Sequence, residues 1–233
     1  MPQKYRHQFP RLPMAFPHAV DPGFPLCMDC HTLHSRNYMD HQAARAFILA
    51  ELHAGLPRWR TYHSLEHTLD VYASAITIAE EEGIKGDDLV LLKTAALYHD
   101  SGFLLDPSDH EAASCRLVQQ HLPRFGYTAD HVDRICNMIL STKVPQRAMD
   151  PLSGVLCDAD LDYLGREDFF MVGDRLYHEM RTTGALHNRW EWNRLQEGFL
   201  SAHTYYTRSS RLHREPKKQK HLAWIRQWLI DNP

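Results

Sequence analysis

The stretch LVLLKTAALYHDSGF, residues 89–103, indicates how this 233-residue chain folds. Its first nine residues are almost all apolar, so they predict a helix that begins near Asp87 and lies at the centre of the molecule. That helix ends in polar residues that include His99 and Asp100. An ionised carboxylate at the end of a buried helix is costly unless a cation or hydrogen bonds satisfy it. We therefore expect the chemistry of the protein at this helix end.

Helices are also predicted on the N-terminal side of this stretch. Apolar residues recur at three- and four-residue intervals over residues 43–52 and again over residues 65–79, which predicts two amphipathic helices. Six prolines fall within residues 2–25 and exclude a helix or an interior strand there. We therefore predict a proline-rich extended N-terminal arm over residues 1–36 and one domain over residues 37–233.

The rest of the chain has the same helical periodicity. Ser108 and Glu111 have the spacing of a capping box and predict a helix that ends near Pro123. The apolar spacing predicts further helices at residues 128–141, 156–164, 167–182, 188–207 and 216–229. No segment alternates as a strand does, and no internal repeat is present. The predicted architecture is all-α, a single helical bundle.

Composition and charge exclude several classes of protein. Hydrophobic residues make up 43% of the chain and charged residues 24%, which is typical of a globular protein and not of a disordered one. The net charge of -3 is too close to neutral for electrostatic binding of nucleic acid to be the main activity. No stretch resembles a signal peptide or a membrane helix, and the five cysteines are odd in number and scattered. We therefore expect a cytoplasmic protein that does not bind a membrane.

Two further segments carry residues suited to metal binding. His63 and His67, in the segment YHSLEH, are four residues apart and so share one face of the predicted second helix. Such a pair is also common as ordinary surface or core-edge histidines, so it does not indicate a metal by itself. The segment LCDADLD at residues 156–162 places three carboxylates within five residues, which suits either helix capping or metal coordination. Capping would employ only one of these carboxylates.

Four sequence elements together resemble the HD superfamily of metal-dependent phosphohydrolases. They read YHSLEHT at 62–68, AALYHDSGF at 95–103, HEAAS at 110–114 and DADLDYLG at 158–165. Their order and spacing match bacterial HD proteins that carry YHxxxHT, AALYHDxGF, HExxS and DADLxYLG elements, and the resemblance covers roughly residues 38–210. The combination is far more specific than the HD dipeptide alone. The resemblance implies that the predicted bundle is a single HD domain.

The resemblance also implies a metal site whose ligands are His67, His99, Asp100 and Asp160. Asp158 is the rival for the last of these positions. Two imidazoles and two carboxylates suit Mn, Fe, Co, Ni or Zn, and the sequence does not distinguish these metals from Mg. Such a set leaves coordination positions for water and a phosphate oxygen, and a second metal is an open alternative.

The implied activity is hydrolysis of a phosphomonoester or phosphodiester, with a nucleotide or a related small metabolite as the expected substrate. Asp100 is expected to act in catalysis as well as in metal binding. His63 is expected to protonate the leaving oxygen as general acid, because histidine titrates near neutral pH. The alternative for His63 is packing beside the ligands as a supporting residue.

Other residues are candidates for secondary roles. His110 is expected to contact the substrate or a second metal, or else to lie exposed in a first helical turn. Lys143 is expected to pair with a phosphate, or else to be an ordinary lysine at a helix end. Asp158 and Asp162 are expected to support the ligands, and the alternative for Asp162 is an ordinary solvated acid. Glu179 is expected to be an ordinary solvated acid, and the alternative is support of the site.

Two other functions stay open on the sequence. Some HD relatives bind two irons and use oxygen to cleave carbon bonds, which is the alternative enzymatic activity. The non-catalytic alternative is a regulatory module that retains the metal and binds a partner through the basic residues 208–220. Cys27 and Cys30 match a haem-attachment pattern, but haem is not expected without export, and a structural zinc at these cysteines is the open alternative.

Overall fold

Helices make up the fold in the part of the chain that the structure describes. The structure is a computed structural model, and it describes residues 39–233. Within this range there are ten α-helices and no strand, which confirms the predicted all-α class. The helices are α1 His41–Gly55, α2 Leu65–Glu81, α3 Gly86–Tyr98, α4 His110–His121, α5 Ala129–Ser141, α6 Pro151–Asp160, α7 Phe169–Thr182, α8 Arg189–Ala202, α9 Arg208–His213 and α10 Glu215–Asp231. None of them has the length and apolarity that crossing a membrane would require.

Residues 1–38 lie outside the part of the chain that the structure describes. The predicted extended arm over residues 1–36 therefore falls outside it, and so do the candidate zinc residues Cys27 and Cys30. The boundary between arm and domain at residue 37 stays a prediction.

Helix α3 lies at the centre of the main core, as its sequence predicts. Leu91, Leu92 and Ala95 are fully buried, because α1, α2, α5 and α6 pack around the helix. Ile48 from α1 and Val71 from α2 belong to the same apolar cluster. Full burial of a leucine or isoleucine side chain contributes about 1.5–3 kcal/mol, so this cluster is a major source of stability. The packing also holds the end of α3 in a fixed position.

A second, smaller core joins the C-terminal helices. Phe169 of α7, Leu200 of α8 and Ile225 of α10 are buried in one cluster. Tyr62 and Leu161 belong to this cluster as well. Because Tyr62 precedes α2 and Leu161 follows α6, the second core places the C-terminal helices next to the helix ends that carry the candidate ligands.

Side-chain caps decide where two of the ligand-bearing helices begin. Ser64 accepts a hydrogen bond from the backbone N–H of His67 and starts α2. Asp150 accepts hydrogen bonds from two backbone N–H groups at the start of α6, and Pro151 occupies the first helical turn. Helix α6 therefore begins before the predicted residue 156 and ends earlier than predicted, and a short 3-10 turn follows at residues 162–165.

Two other expected boundaries were wrong. Ser108 does not cap α4, because its hydroxyl donates to Oδ1 of Asp106 at 2.6 Å within a short 3-10 turn. Glu111, the expected partner of Ser108 in a capping box, is buried instead. The helix predicted over residues 188–207 stops with α8, and the short helix α9 that follows was not predicted.

The turn after α3 packs closely against α4 through Gly102 and Ser114. The backbone N–H of Gly102 donates to Oγ of Ser114 at 2.7 Å, and that hydroxyl donates to the carbonyl oxygen of His99, also at 2.7 Å. A Cβ at residue 102 would overlap the carbonyl oxygen of His110, so this close approach requires glycine. These contacts account for the serine of the HExxS element, which fastens α4 to the residues that follow α3.

Candidate metal centre and active-site cavity

Three buried side chains form a cluster whose ligand atoms suit one metal ion. They are His67 in the first turn of α2, and His99 and Asp100 directly after α3. One ligand atom of each residue lies within 4.8 Å of the ligand atoms of the others. Because α2 packs against α3, the core brings together histidines that are 32 residues apart in sequence.

Asp160, at the end of α6, points into the same cluster. Its Oδ1 lies 3.2 Å from Nε2 of His67 and 3.5 Å from Nε2 of His99. The two Nε2 atoms are 3.4 Å apart. Oδ2 of Asp100 lies 3.4 Å from Nε2 of His67 and 3.2 Å from Nε2 of His99. The structure thus brings together all four side chains of the expected ligand set.

The donor atoms of this cluster fit a divalent cation. Nδ1 of His99 lies 2.8 Å from the carbonyl oxygen of Ala96, which can only accept, so Nδ1 carries the proton and Nε2 presents a lone pair. Oδ2 of Asp100 is buried, and Nε2 of His67 and Nε2 of His99 face it at 3.4 and 3.2 Å. A buried ionised oxygen requires a compensating positive charge. Imidazole nitrogens combined with carboxylate oxygens suit Zn and other first-row divalent metals.

The two carboxylates make the cluster favourable for positive charge. Burial alone would lower the pKa of His67, but the hydrogen bonds and charges of Asp100 and Asp160 raise it to about 8. Burial alone would raise the pKa of Asp160, but its hydrogen bonds with His67 and His99 lower it to about 2. Both shifts have the sign expected where a cation, either a proton or a metal ion, is stabilised between these groups.

His63 lies beside the cluster, and Glu179 of α7 holds its ring. Nδ1 of His63 donates a 2.7 Å hydrogen bond to Oε1 of Glu179, which also accepts from Arg60 at 2.9 Å. Burial would raise the pKa of Glu179, but its hydrogen bonds, with that from His63 foremost, lower it to about 2. Because Nδ1 of His63 is engaged, Nε2 is the nitrogen that can reach a substrate. The expectation that Glu179 is a solvated acid was wrong, since only 4% of its surface is exposed.

The other oxygen of Asp100 faces a second group of polar side chains. Nε2 of His110 lies 3.4 Å from Oδ1 of Asp100 and 3.4 Å from Oε1 of Glu111. The ring of His110 stacks on Phe103, with 4.2 Å between their centroids. Burial lowers the pKa of His110, which favours the neutral form that binds metals. His110 therefore lies at the site. Asp100 lies between two pairs of side chains, His67 with His99 and His110 with Glu111.

A cavity of about 320 Å³ adjoins the cluster. Its polar lining, which we call the polar end, comes from the cluster and the residues beside it: Tyr62, His63, Asp100, His110, Glu111 and Asp160. Its apolar lining, which we call the apolar end, comes mostly from α7 and α8: Leu161, Leu164, Leu176, Met180, Trp192, Leu195, Phe199 and Leu200. A larger groove of about 530 Å³ lies beside Met149 and Arg208, and none of the cluster residues lines it. The cavity next to the cluster is therefore the candidate substrate site.

Asp158 and Asp162 do not face the cluster. Asp158 accepts hydrogen bonds from the backbone N–H groups of Tyr206 and Thr207, both at 2.8 Å, and from the Thr207 hydroxyl at 2.7 Å. Oδ1 of Asp162 accepts from Nε of Arg214 at 2.6 Å. These contacts fasten the chain near α9 to α6 and to the turn after it. The expectation that Asp158 is the rival ligand was therefore wrong. The expectation that Asp158 and Asp162 support the metal ligands was also wrong, because both carboxylates are engaged elsewhere.

Lys143 and the basic C-terminal stretch also differ from expectation. Lys143 pairs with Asp109 at 2.5 Å on the surface and does not line the cavity. Within residues 208–220, Arg214 pairs with a buried aspartate and Lys218 is fully buried. Both basic residues have intramolecular roles, which weakens the alternative of a module that docks through this stretch.

The sequence favours a solvated role for Glu179 over support of the site, and it does not indicate the apolar end of the cavity. Glu179 lies 116 residues from His63 in sequence, so no local pattern connects the two. Trp192, Leu195 and Phe199 recur at three- and four-residue intervals, but that spacing is typical of any amphipathic helix. Only the packing of α7 and α8 near the start of α2 identifies these residues.

Two solved structures share the fold. A predicted HD superfamily hydrolase from an uncultured Thermotogales bacterium is 21% identical, with a TM-score of 0.55, over 88% of this chain and 99% of that chain. Bacillus subtilis YpgQ in complex with ADP is 22% identical, with a TM-score of 0.54, over 83% of this chain and 98% of that chain. At these identities the likeness shows the fold. No curated protein sequence matches this chain.

A family-level match agrees with the geometry of the cluster. Residues 64–162 match the sequence model of the HD domain family. This span contains the two histidines and two carboxylates that converge in the structure, and also His110. The chain therefore contains an HD domain at residues 64–162.

Proposed function

We propose that this protein is a metal-dependent phosphohydrolase that cleaves a phosphomonoester or a phosphodiester. The observation that carries the proposal is the convergence of two Nε2 atoms and two carboxylate oxygens at a cavity whose wall includes His63. Such a site offers a binding position for a cation that contacts the phosphoryl group, and a proton donor for the leaving oxygen. Hydrolysis of a phosphate ester near neutral pH needs both.

In this proposal His67, His99, Asp100 and Asp160 hold the metal. A divalent cation bound there supplies positive charge to the phosphoryl group and lowers the pKa of a bound water toward neutrality. The surrounding chain fixes the donors, since the Ala96 carbonyl sets the tautomer of His99 and the core holds the ends of α2 and α3. The candidate metals are Mn, Fe, Co, Ni, Zn and Mg.

Asp100 has a further role in this proposal, because its two oxygens face different groups. Oδ2 lies toward His67 and His99, whereas Oδ1 lies toward His110. A second metal, if bound, would find its donors on the Oδ1 side, where Glu111 is buried beside His110. Asp100 would then link the two positions and set the charge on both.

His63 would protonate the leaving oxygen. The carboxylate of Glu179 accepts the Nδ1 proton and balances the charge of a protonated ring. Loss of the Nε2 proton to the leaving oxygen then gives a neutral ring that remains bonded to Glu179 through Nδ1. Phe103 packs against His63, with 4.3 Å between ring centroids, and limits the ring orientation. Glu179 is thus a positioning residue.

The substrate in this proposal is a nucleotide or a related small phosphate ester. Bacillus subtilis YpgQ, which has a similar fold, is in complex with ADP. The cavity of about 320 Å³ has a volume within the ordinary range of small-molecule sites. Its polar end, at the candidate metal centre, is where the phosphoryl group would bind.

A substrate panel tests the proposal. Metal-free protein is loaded in turn with Mn, Co, Ni or Mg, and phosphate release or diester cleavage is measured on nucleotides, cyclic nucleotides and sugar phosphates. We expect hydrolysis that depends on the added metal in at least one of these classes. His67→Ala protein, treated in the same way, is the matched control and should be inactive. Failure to hydrolyse any of these esters, in protein shown to contain metal, contradicts the proposal.

A further inference from the structure

The cavity beside the candidate metal centre differs in chemistry between its two ends. The end that carries Asp100 and Asp160 is polar, whereas α7 and α8 form the other end from Leu176, Met180, Trp192, Leu195, Gln196 and Phe199. Trp192 is only 4% exposed and packs in a small cluster with Tyr177 and Leu186. Trp192 is therefore held in a fixed position in the cavity wall.

Charged groups around this cavity are carboxylates and imidazoles. Among residues 39–233 no lysine or arginine lines it. Arg60 and Lys143, which flank cavity residues in sequence, pair with Glu179 and Asp109 instead. A cation at the metal centre can offset the charge of one phosphoryl group. A second phosphoryl group would lie among apolar side chains without a cationic partner, which is costly.

Gln196 supplies a polar contact within the apolar end. Its side chain is buried, and Nε2 donates to Oδ1 of Asn193 at 3.1 Å, which fixes the orientation of the amide. The amide oxygen and the second N–H of Nε2 remain for other partners. An uncharged hydroxyl or amino group on an otherwise apolar substituent can use either of them.

We propose that the substrate carries a single phosphoryl group joined to an uncharged aromatic or apolar group, a proposal that rests on the phosphohydrolase function above. The phosphoryl group binds at the polar end, and Trp192, Leu195 and Phe199 select the apolar group. Burial of an aromatic group against these side chains contributes about 10- to 100-fold in affinity. The inference narrows the nucleotides proposed above to monophosphates: esters with a second phosphoryl group, such as the ADP bound to YpgQ, bind this cavity less tightly, and so do esters with a strongly hydrophilic group.

Binding of non-hydrolysable analogues tests this selectivity separately from hydrolysis. Calorimetry on metal-loaded protein compares 2-(2-naphthyl)ethylphosphonate with the phosphonate analogue of ribose 5-phosphate and with a naphthylethyl analogue that carries a second phosphoryl group. We expect the naphthyl monophosphonate to bind about 10- to 100-fold more tightly than either. Equal binding, or tighter binding of the diphosphoryl analogue, overturns the inference. Selective binding without any ester hydrolysis supports the inference and contradicts the proposed hydrolase function alone.

A charge placed at the apolar end gives a second test. Leu195 is 45% exposed, so Leu195→Lys adds a cation at the cavity without burying it. This variant should bind the diphosphoryl analogue about 3- to 10-fold more tightly than the unmodified protein does, and the naphthyl monophosphonate less tightly. Leu212→Lys is the matched control, because Leu212 is 64% exposed and does not line this cavity. Identical behaviour of the two variants overturns the assignment of this end to the substrate.

Discussion

Oε1 of Glu179 lies 2.7 Å from Nδ1 of His63, so a carboxylate on α7 orients the histidine that precedes α2. Oε2 of Glu179 also accepts from the backbone N–H groups of Tyr62 and His63, at 3.0 and 3.1 Å. One buried side chain therefore fixes both the backbone and the ring at this point. This contact distinguishes His63, the proposed proton donor, from the proposed ligands, because Glu179 hydrogen-bonds to the ring of His63 and not to that of His67.

Replacing Glu179 by glutamine should slow hydrolysis without releasing metal. Glutamine retains the size of the side chain but removes the charge that balances a protonated His63. We expect the rate of hydrolysis of an alkyl phosphate ester to fall about 10- to 100-fold. The rate for a nitrophenyl ester should fall much less, because its leaving group needs no proton. Steady-state kinetics on both esters, with metal analysis, measures this. Glu167→Gln is the control, because Glu167 is exposed and precedes the same helix. Equal losses of rate on the two esters in Glu179→Gln would contradict the positioning role.

The variant His63→Asn should retain its metal and lose most of its activity. The expected loss on an alkyl ester is on the order of 100- to 10,000-fold, because the leaving oxygen no longer receives a proton. Hydrolysis of a nitrophenyl ester should be largely preserved. Metal content and the two rates are measured on one preparation. Metal loss from this variant would instead make His63 a ligand.

Asp158 and Asp160, two residues apart, should respond in opposite ways to substitution by asparagine. Asp160→Asn should weaken metal binding by more than about 100-fold, since it removes a proposed ligand charge. Asp158→Asn should retain the metal and lower the free energy of unfolding by about 1–3 kcal/mol, because one acceptor facing Tyr206 and Thr207 becomes a donor. Metal titration and urea denaturation of both variants test this. Metal loss from Asp158→Asn with normal stability would reverse the assignment.

Ser114→Ala should destabilise the protein although Ser114 contacts no candidate ligand side chain. The substitution removes the acceptor for the Gly102 N–H and the donor to the His99 carbonyl, both of which are buried. We expect the free energy of unfolding to fall by about 1–3 kcal/mol. Ser201→Ala, at an exposed position on α8, should change it by no more than about 0.5 kcal/mol. Chemical denaturation of the two variants measures these changes. A change no larger for Ser114→Ala than for Ser201→Ala would show that the serine of the HExxS element does not stabilise the fold.

The sequence predicts the fold and the converging residues well where the signal is local. The apolar run over residues 89–97 predicts a central helix, and His99 and Asp100 directly follow the end of that helix. Asp160 lies in the cluster, as the resemblance to HD proteins implies, because α6 ends at that residue beside α2.

Features that depend on tertiary packing could not be predicted in this way. Asp158 and Asp160 look equivalent in the sequence, and only the position of the chain at Tyr206 shows which of them faces the cluster. Lys143 follows a polar helix end that could adjoin a phosphate, but its nearest partner is Asp109. The role of Glu179 depends on α7 packing beside the start of α2, which no local pattern indicates.

Metal content per chain, measured by inductively coupled plasma mass spectrometry on unmodified protein and on Asp100→Asn, tests whether Asp100 holds a metal ion that hydrolysis requires. Asparagine preserves the size of the side chain and removes the charge of a proposed ligand whose two oxygens face His99 and His110, respectively. We expect the unmodified protein to bind divalent metal in proportion to the chain, and Asp100→Asn to lose both metal and phosphohydrolase activity while remaining folded. Equal metal content in the two proteins, or activity that is independent of metal, would contradict this expectation.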